Sequence, residues 1–172
     1  MKKINFNLAL LIFVSVAAII QPVLFLDRLP EQIATHFSTS GEANSFMPKN
    51  NFILFSIGLI LFLDLIFLGL TKLMNVLSDS GFNLPNKDYW LHESRREKTV
   101  RAIKKMLYNT STITIIFLMA IMQKIIECNI DGTFKLSGDT FLYLIFYVIG
   151  LSIYIIMLFL KFSKIPKENL RN

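Results

Sequence analysis

Four long apolar runs constrain this chain more than anything else in it. They cover roughly residues 6–26, 52–71, 109–127 and 140–160. Each approaches the ~20 apolar residues that an α-helix needs to cross about 30 Å of hydrocarbon. A water-soluble domain of this size would interrupt such runs with charge every turn or so. A mean hydropathy of +0.54 and 53% hydrophobic residues agree. The expected fold is an all-α integral membrane protein of one domain, residues 1–172, with four transmembrane helices arranged as two hairpins.

Of the 18 Lys and Arg residues, 14 would fall on one side of such a bundle. Only Arg28, Lys49, Lys124 and Lys135 would lie at the other face. The positive-inside rule makes the cation-rich side cytoplasmic, so both termini are expected inside. The net charge of +6 then serves topology and contact with anionic lipid, not nucleic acid, because the cations hug the membrane ends of the helices. The expected location is a cell membrane of bacterial plasma or inner type. Lys2 and Lys3 before an apolar run containing Val16-Ala17-Ala18 also suit a signal peptide. The run continues to Leu26, however, and reads as a retained first span. The single Cys128 cannot form an intrachain disulfide and reads as a bystander thiol.

Between spans one and two lies an outer loop, residues 27–51, expected to be structured. Pro30 and Pro48 stiffen its ends, Gly41 permits a positive φ, and Ile33 and Phe37 fit one face of a short helical turn. His36, with Glu31 and Glu42 nearby in sequence, is the group to consider for a metal site or acid–base pair. The expectation is that His36 and Phe37 hold the loop's fold, with no metal and no cofactor. No HExxH, CxxC, GxSxG or phosphate-cradling loop occurs.

The segment from 72 to 108 is expected at the cytoplasmic face. Asp79-Ser80-Gly81 and Leu84-Pro85-Asn86 are turn chemistry, and Ser94 with Glu97 has the form of a capping box. From Ser94 a helix can run unbroken into span three, with Val100, Ile103 and Leu107 on one face and Arg95, Lys98, Arg101, Lys104 and Lys105 as a basic collar. Tyr89 and Trp90 fit an interfacial aromatic anchor.

Inside the membrane, Asp64 sits in the middle third of span two. A charge there costs about 2.5–3.5 kcal/mol on insertion scales, so the carboxyl should face protein. Partners are expected in span three (Thr112, Thr114) or span four (Ser152, Tyr154), with Gly58 and Gly69 allowing close helix approach. Lys124 and Glu127 lie one turn apart and should pair.

The outer loop resembles the family built on the domain of unknown function numbered 1648. The residues that carry the likeness are Leu29-Pro30, His36-Phe37, Gly41, Asn44, Phe46 and Lys49, with Ala34 and Asn44 standing where the family usually has proline and aspartate. A second block, Asn83-Leu84-Pro85-Asn86-Lys87-Asp88-Tyr89-Trp90-Leu91 followed by Arg95-Arg96, is similar to one in small four-span members. The resemblance implies a distant similarity to the immunity and signalling protein of the Sdp toxin system, which has additional spans. It points to a membrane interaction protein that meets a peptide or protein partner. Leu29, Pro30, His36, Phe37, Gly41, Asn44, Lys49, Asn83, Pro85, Asn86, Tyr89, Trp90, Arg95 and Arg96 are then the candidate contact residues. Two other classes stay open: a membrane enzyme using His36 with Glu31 and Glu42, and a small ion-coupled transporter around Asp64. Four spans enclose little polar volume, so homo-oligomerisation accompanies the transporter reading.

Overall fold

The computed structural model describes residues 5–166. Of the cations used above for orientation, Lys2, Lys3, Lys167 and Arg171 lie outside the described residues. Four helices are long and apolar enough to cross a membrane: α1 (Phe6–Leu24), α2 (Lys49–Val76), α4 (Glu93–Ile130) and α5 (Thr140–Ser163). A four-residue helix, α3 (Lys87–Trp90), precedes α4, and two strands, β1 (Gln32–Phe37) and β2 (Ala43–Pro48), separate α1 from α2. The chain is therefore mostly helical, but not all-α.

Asn5 starts α1, its side chain accepting from the backbone N–H groups of Asn7 and Leu8. Pro22 lies in the last turn, and α1 ends at Leu24, two residues short of the apolar run. The other three spanning helices outrun theirs. At 1.5 Å per residue, α2 is about 42 Å long and α4 about 57 Å, so α4 projects well beyond any bilayer core. As expected from the sequence, α4 continues without a break from the basic collar into the apolar run. It starts at Glu93 with His92 as N-cap, however, and has no side-chain cap. Ser94 Oγ instead contacts His92 Nδ1 at 3.0 Å, so the capping box does not form.

The core is a three-helix seam. Leu11, Val14 and Ala18 of α1 meet Ile60 of α2 and Tyr108 and Ile115 of α4. Small residues at the contact let backbones approach, as membrane helices require where lipid supplies no hydrophobic contrast. Polar clamps fix the register: Asn7 Nδ2 donates to Asn109 Oδ1 at 2.6 Å, and Gln21 Nε2 reaches the Met119 carbonyl and Gln123 Oε1. Helix α5 packs on α4 through a stacked Phe117–Tyr147 pair and through Tyr154, which accepts from Asn109 Nδ2. Most of its apolar surface faces outward. Gly58 and Gly69 have open space around them, so they mediate no helix contact within the chain.

At the end rich in Lys and Arg, the segment between α2 and α4 folds back over the helix ends. A 3-10 turn at Asp79–Gly81 and the left-handed Asn86 (φ 50°) shape it. Asn86 Nδ2 donates to the carbonyls of Phe162 and Ser163, and the Trp90 indole N–H donates to Phe162 O at 2.7 Å. The last carbonyls of α5, which have no partner inside the helix, are thus satisfied from another element. Arg96 does the same for α2, donating to Leu77 O at 2.7 Å while pairing with Asp79 at 2.8 Å. Beneath lies a cluster of Phe82, Leu91, Val100, Ile103 and Phe162, with Leu107 against it. That is the helix face expected from the sequence.

Replacing Trp90 by Phe keeps the aromatic packing and removes the indole donor. Thermal unfolding in detergent should show a loss of about 0.5–1.5 kcal/mol; an unchanged transition would mean that α5 does not depend on this cap.

Candidate functional site

At the opposite end of the bundle the two strands pair antiparallel, with Gln32 opposite Pro48, Ile33 opposite Met47, Ala34 opposite Phe46 and Phe37 opposite Ala43. The pairing is irregular around His36. Strands replace the helical turn anticipated at Ile33–Phe37 for physical reasons. The Ser38–Gly41 turn, with Gly41 at φ +84°, reverses the chain so that β2 pairs with β1 on one edge, while Asn129 meets Ala34 on the other.

Three contacts fix the hairpin. Its base is closed by Lys49, whose backbone N–H donates to Glu31 O and whose ammonium pairs with Glu31 Oε1 at 2.9 Å. Its tip is held by the α4–α5 loop. Leu136 N–H donates to Gly41 O, Ala43 N–H donates to Phe134 O, and Lys135 pairs with Glu42 at 3.2 Å. A Cβ on Gly41 would lie 2.5 Å from Leu136 O, so glycine is required twice, by φ and by contact.

Its centre is held by Asn129. The Ala34 N–H donates to Asn129 Oδ1 at 2.7 Å, and Asn129 Nδ2 donates to Ala34 O at 3.0 Å and to Ile125 O at 2.8 Å. The side-chain amide acts as one more strand residue beside β1. Asn129 is only 2% exposed. Proline at position 34 would have no N–H for this bond, so alanine and Asn129 fit each other. Under the hairpin, Leu29, Ile33, Phe52 and Ile126 form a buried cluster.

The sequence candidates therefore divide. Leu29, Gly41 and Lys49 are structural parts of the hairpin, and Phe37 is half-buried. His36 pairs with Ser45 through the strand register, but its side chain is exposed, and its ring's hydrogen-bond contact among the described residues is the Thr35 hydroxyl at 3.3 Å. It does not hold the fold as anticipated; the buried neighbours Ile33 and Ala34 do. Glu31 and Glu42 are directed to different lysines, and no group of three His, Cys, Asp or Glu side chains with metal-holding geometry occurs among the described residues. Asn44 is exposed on β2 beside Ser45 and Phe46, the latter in edge-on contact with Phe134. Asn83 and Pro85 belong to the loop at the far end. There Asn86, Trp90 and Arg96 serve as caps, and Arg95 donates to Tyr89 O. Asn129, the hairpin's main anchor, was not legible: an amide just past an apolar run reads as a helix stop, and α4 continues through it.

Beside the hairpin is an open cleft of about 480 Å³, lined among others by Lys124, Glu127, Asp131 and Lys135. Lys124 and Glu127 pair at 3.2 Å, as their spacing predicts. At the cleft's edge the Ser137 hydroxyl, and less strongly Lys124, hold the Asp139 carboxyl below the usual carboxylate range. Cys128 is buried and its thiol donates to Ile125 O.

The intramembrane carboxyl has a different partner from those anticipated. Ser15 Oγ of α1 lies 3.0 Å from Asp64 Oδ1 and 2.9 Å from the Leu11 carbonyl. Thr112 bonds Tyr108 O, Thr114 bonds Tyr147, and Tyr154 bonds Asn109. The span-four candidates lie on α5, which packs mainly on α4, and the α4 hydroxyls of Thr112 and Thr114 are already engaged by neighbours.

Residues 11–62 match a family model described as Domain of unknown function (DUF1648). The matched stretch is α1 from Leu11, the whole hairpin and the first half of α2, ending just before Asp64. No curated protein and no solved structure matches the chain.

Asn129→Leu should remove the partner of both Ala34 groups at little change in volume. Unfolding measurements should register a loss of about 2–4 kcal/mol, and a smaller loss than 1 kcal/mol would show that the hairpin docks without this amide. For Asp64, Asn keeps shape and hydrogen bonding but cannot titrate. Asp64→Asn should leave thermal stability nearly unchanged, whereas Asp64→Leu should cost about 0.5–2 kcal/mol at the α1–α2 contact. A folded Asn variant that loses its cellular phenotype would assign Asp64 to ion coupling.

Proposed function

We propose that the chain is a non-enzymatic, multi-pass membrane interaction protein of immunity, accessory or signalling type, whose hairpin end meets a peptide or protein partner outside the cell. The observation that carries this reading is a hairpin pinned at base, centre and tip that still leaves Asn44, Ser45 and Phe46 of β2 exposed. Along the outer edge of β2, the described residues form one backbone bond, Ala43 to Phe134. The rest is a short template to which an extended peptide can add as a strand. A recognition element ordered in advance loses less entropy on binding. The mixed-charge cleft beside it suits the charged side chains of such a peptide.

Orientation follows from charge. Ten cations among the described residues (Lys72, Lys87, Arg95, Arg96, Lys98, Arg101, Lys104, Lys105, Lys161 and Lys164) belong to the end away from the hairpin, against four near it. By the positive-inside rule the hairpin faces outward and both termini face the cytoplasm. The enzyme reading gains no support from the geometry, because Glu31 and Glu42 are each engaged by a lysine and neither is bonded to the His36 ring.

A photocrosslinking residue at Phe46 should yield a discrete adduct in native membranes, and the same residue at Lys105 should not. Equal or absent adducts at both would defeat the partner reading. In a companion measurement, Ser40→Cys should be labelled by a membrane-impermeant reagent in intact cells and His92→Cys only after permeabilisation. The reverse pattern would overturn the orientation.

A further inference from the structure

At the basic end a second open cleft, about 450 Å³, lies between α3, the start of α4 and the end of α5. Among the described residues, three cations line it, Arg95, Lys98 and Lys161, and no carboxylate does. Cations without an acidic partner occur elsewhere, Lys72 and Lys105 among them, but here three share one cleft. Arg96, Arg101, Lys49, Lys124 and Lys135 each pair with an acidic side chain. Among the described residues, none of the three cleft cations does.

We propose that this cleft binds the phosphate of an anionic membrane lipid. Arg95 is oriented for the task. Its Nε donates to Tyr89 O at 2.9 Å and its guanidinium lies 4.0 Å from the centre of the Tyr89 ring. That geometry engages Nε and the ring face, leaving the terminal nitrogens for a ligand, and a planar guanidinium binds two phosphate oxygens at once. Lys98 and Lys161 add compact charges from α4 and α5. The wall is rigid, because Trp90 is hydrogen-bonded to Phe162 O, Thr99 Oγ1 donates to Trp90 O, and the Trp90 and Phe162 rings meet edge to face.

The depth of the cleft selects a lipid over a soluble phosphate. Lys161 stands at the end of the α5 apolar run, and Phe159 and Leu160 immediately before it are exposed. A phosphate held by Lys161 therefore sits at head-group level, with acyl chains free to lie along α5, whose apolar surface is uncovered within the chain. Trp90 borders the same level, where amphipathic rings concentrate. The site does not depend on what the hairpin meets.

The test is lipid retention by native mass spectrometry of detergent-purified protein, titrated with phosphatidylglycerol, phosphatidylcholine or glycerol phosphate. One phosphatidylglycerol should be retained in preference to phosphatidylcholine, and glycerol phosphate should not displace it. A cation that faces the bound head group contributes about fivefold to its binding. The triple variant Arg95→Gln, Lys98→Gln, Lys161→Gln should therefore weaken retention by ~100-fold. The control triple Lys72→Gln, Lys105→Gln, Lys164→Gln removes equal charge from the same end and should change it by less than about twofold if the cleft is the site. Equal losses in the two triples would overturn the proposal in favour of a diffuse surface field. Displacement by glycerol phosphate would overturn the lipid assignment. Should the first triple fail to fold, Lys98→Gln alone, at an exposed position, decides the matter: about a fivefold loss supports the site and no loss sinks it.

Discussion

The side-chain amide of Asn129 joins the two parts of this molecule, closing both hydrogen bonds of the Ala34 peptide where α4 meets β1. A two-stranded hairpin is marginal on its own in water, and here it stands at the end of a bundle whose cohesion comes from packing along α1, α2 and α4. Buried peptide groups must find partners, and Asn129 supplies them without a third strand. Once Ala34 is fixed, Ile33 is directed into the cluster with Leu29, Phe52 and Ile126, and Ala43 and Gly41 come within reach of the α4–α5 loop. The hairpin, α4 and the start of α5 thereby become one rigid end.

The other end solves the same chemical problem differently. The terminal carbonyls of α2 and α5 emerge where few backbone donors are available, and side chains from the intervening segment meet them: Arg96 at Leu77, Trp90 and Asn86 at Phe162 and Ser163. A loop so committed is a structural cap first. Arg95 and Lys98, on the first turns of α4, take no part in capping α2 or α5 and line the neighbouring cleft instead. Between the two ends the helices follow the logic of a bilayer, with small residues and a few amides at contacts and large apolar side chains facing out. The Ser15–Asp64 pair belongs to this pattern: a polar group at depth takes a hydroxyl from the nearest packed helix.

The four spans were legible because apolar length is a local property, and it needs no knowledge of neighbours. The continuity of α4 was legible for the same reason: nothing between Glu93 and Ile130 breaks a helix. The pairing of Lys124 with Glu127 follows from one helical turn. The turns at Asp79–Gly81 and Asn86 follow from residue types that tolerate such geometry. By contrast, the short pattern from Gln32 to Phe37 is compatible with a helical turn or a strand. What decided it was β2 across the turn and Asn129 alongside, neither of which is near in sequence.

The sequence by itself therefore determined the solvent that this chain is built for, the number of helices long and apolar enough to span it, and the end of the bundle at which its charge gathers, because hydrophobic length and charge sum along the chain. Only the tertiary structure decided that the loop is a hairpin, that Asn129 rather than His36 secures it, that Asp64 meets Ser15 of α1, and that Arg95, Lys98 and Lys161 share one cleft. Those outcomes depend on which helices pack together, and packing is set by shape complementarity between surfaces distant in sequence. The periodicity of any one helix carries no record of it.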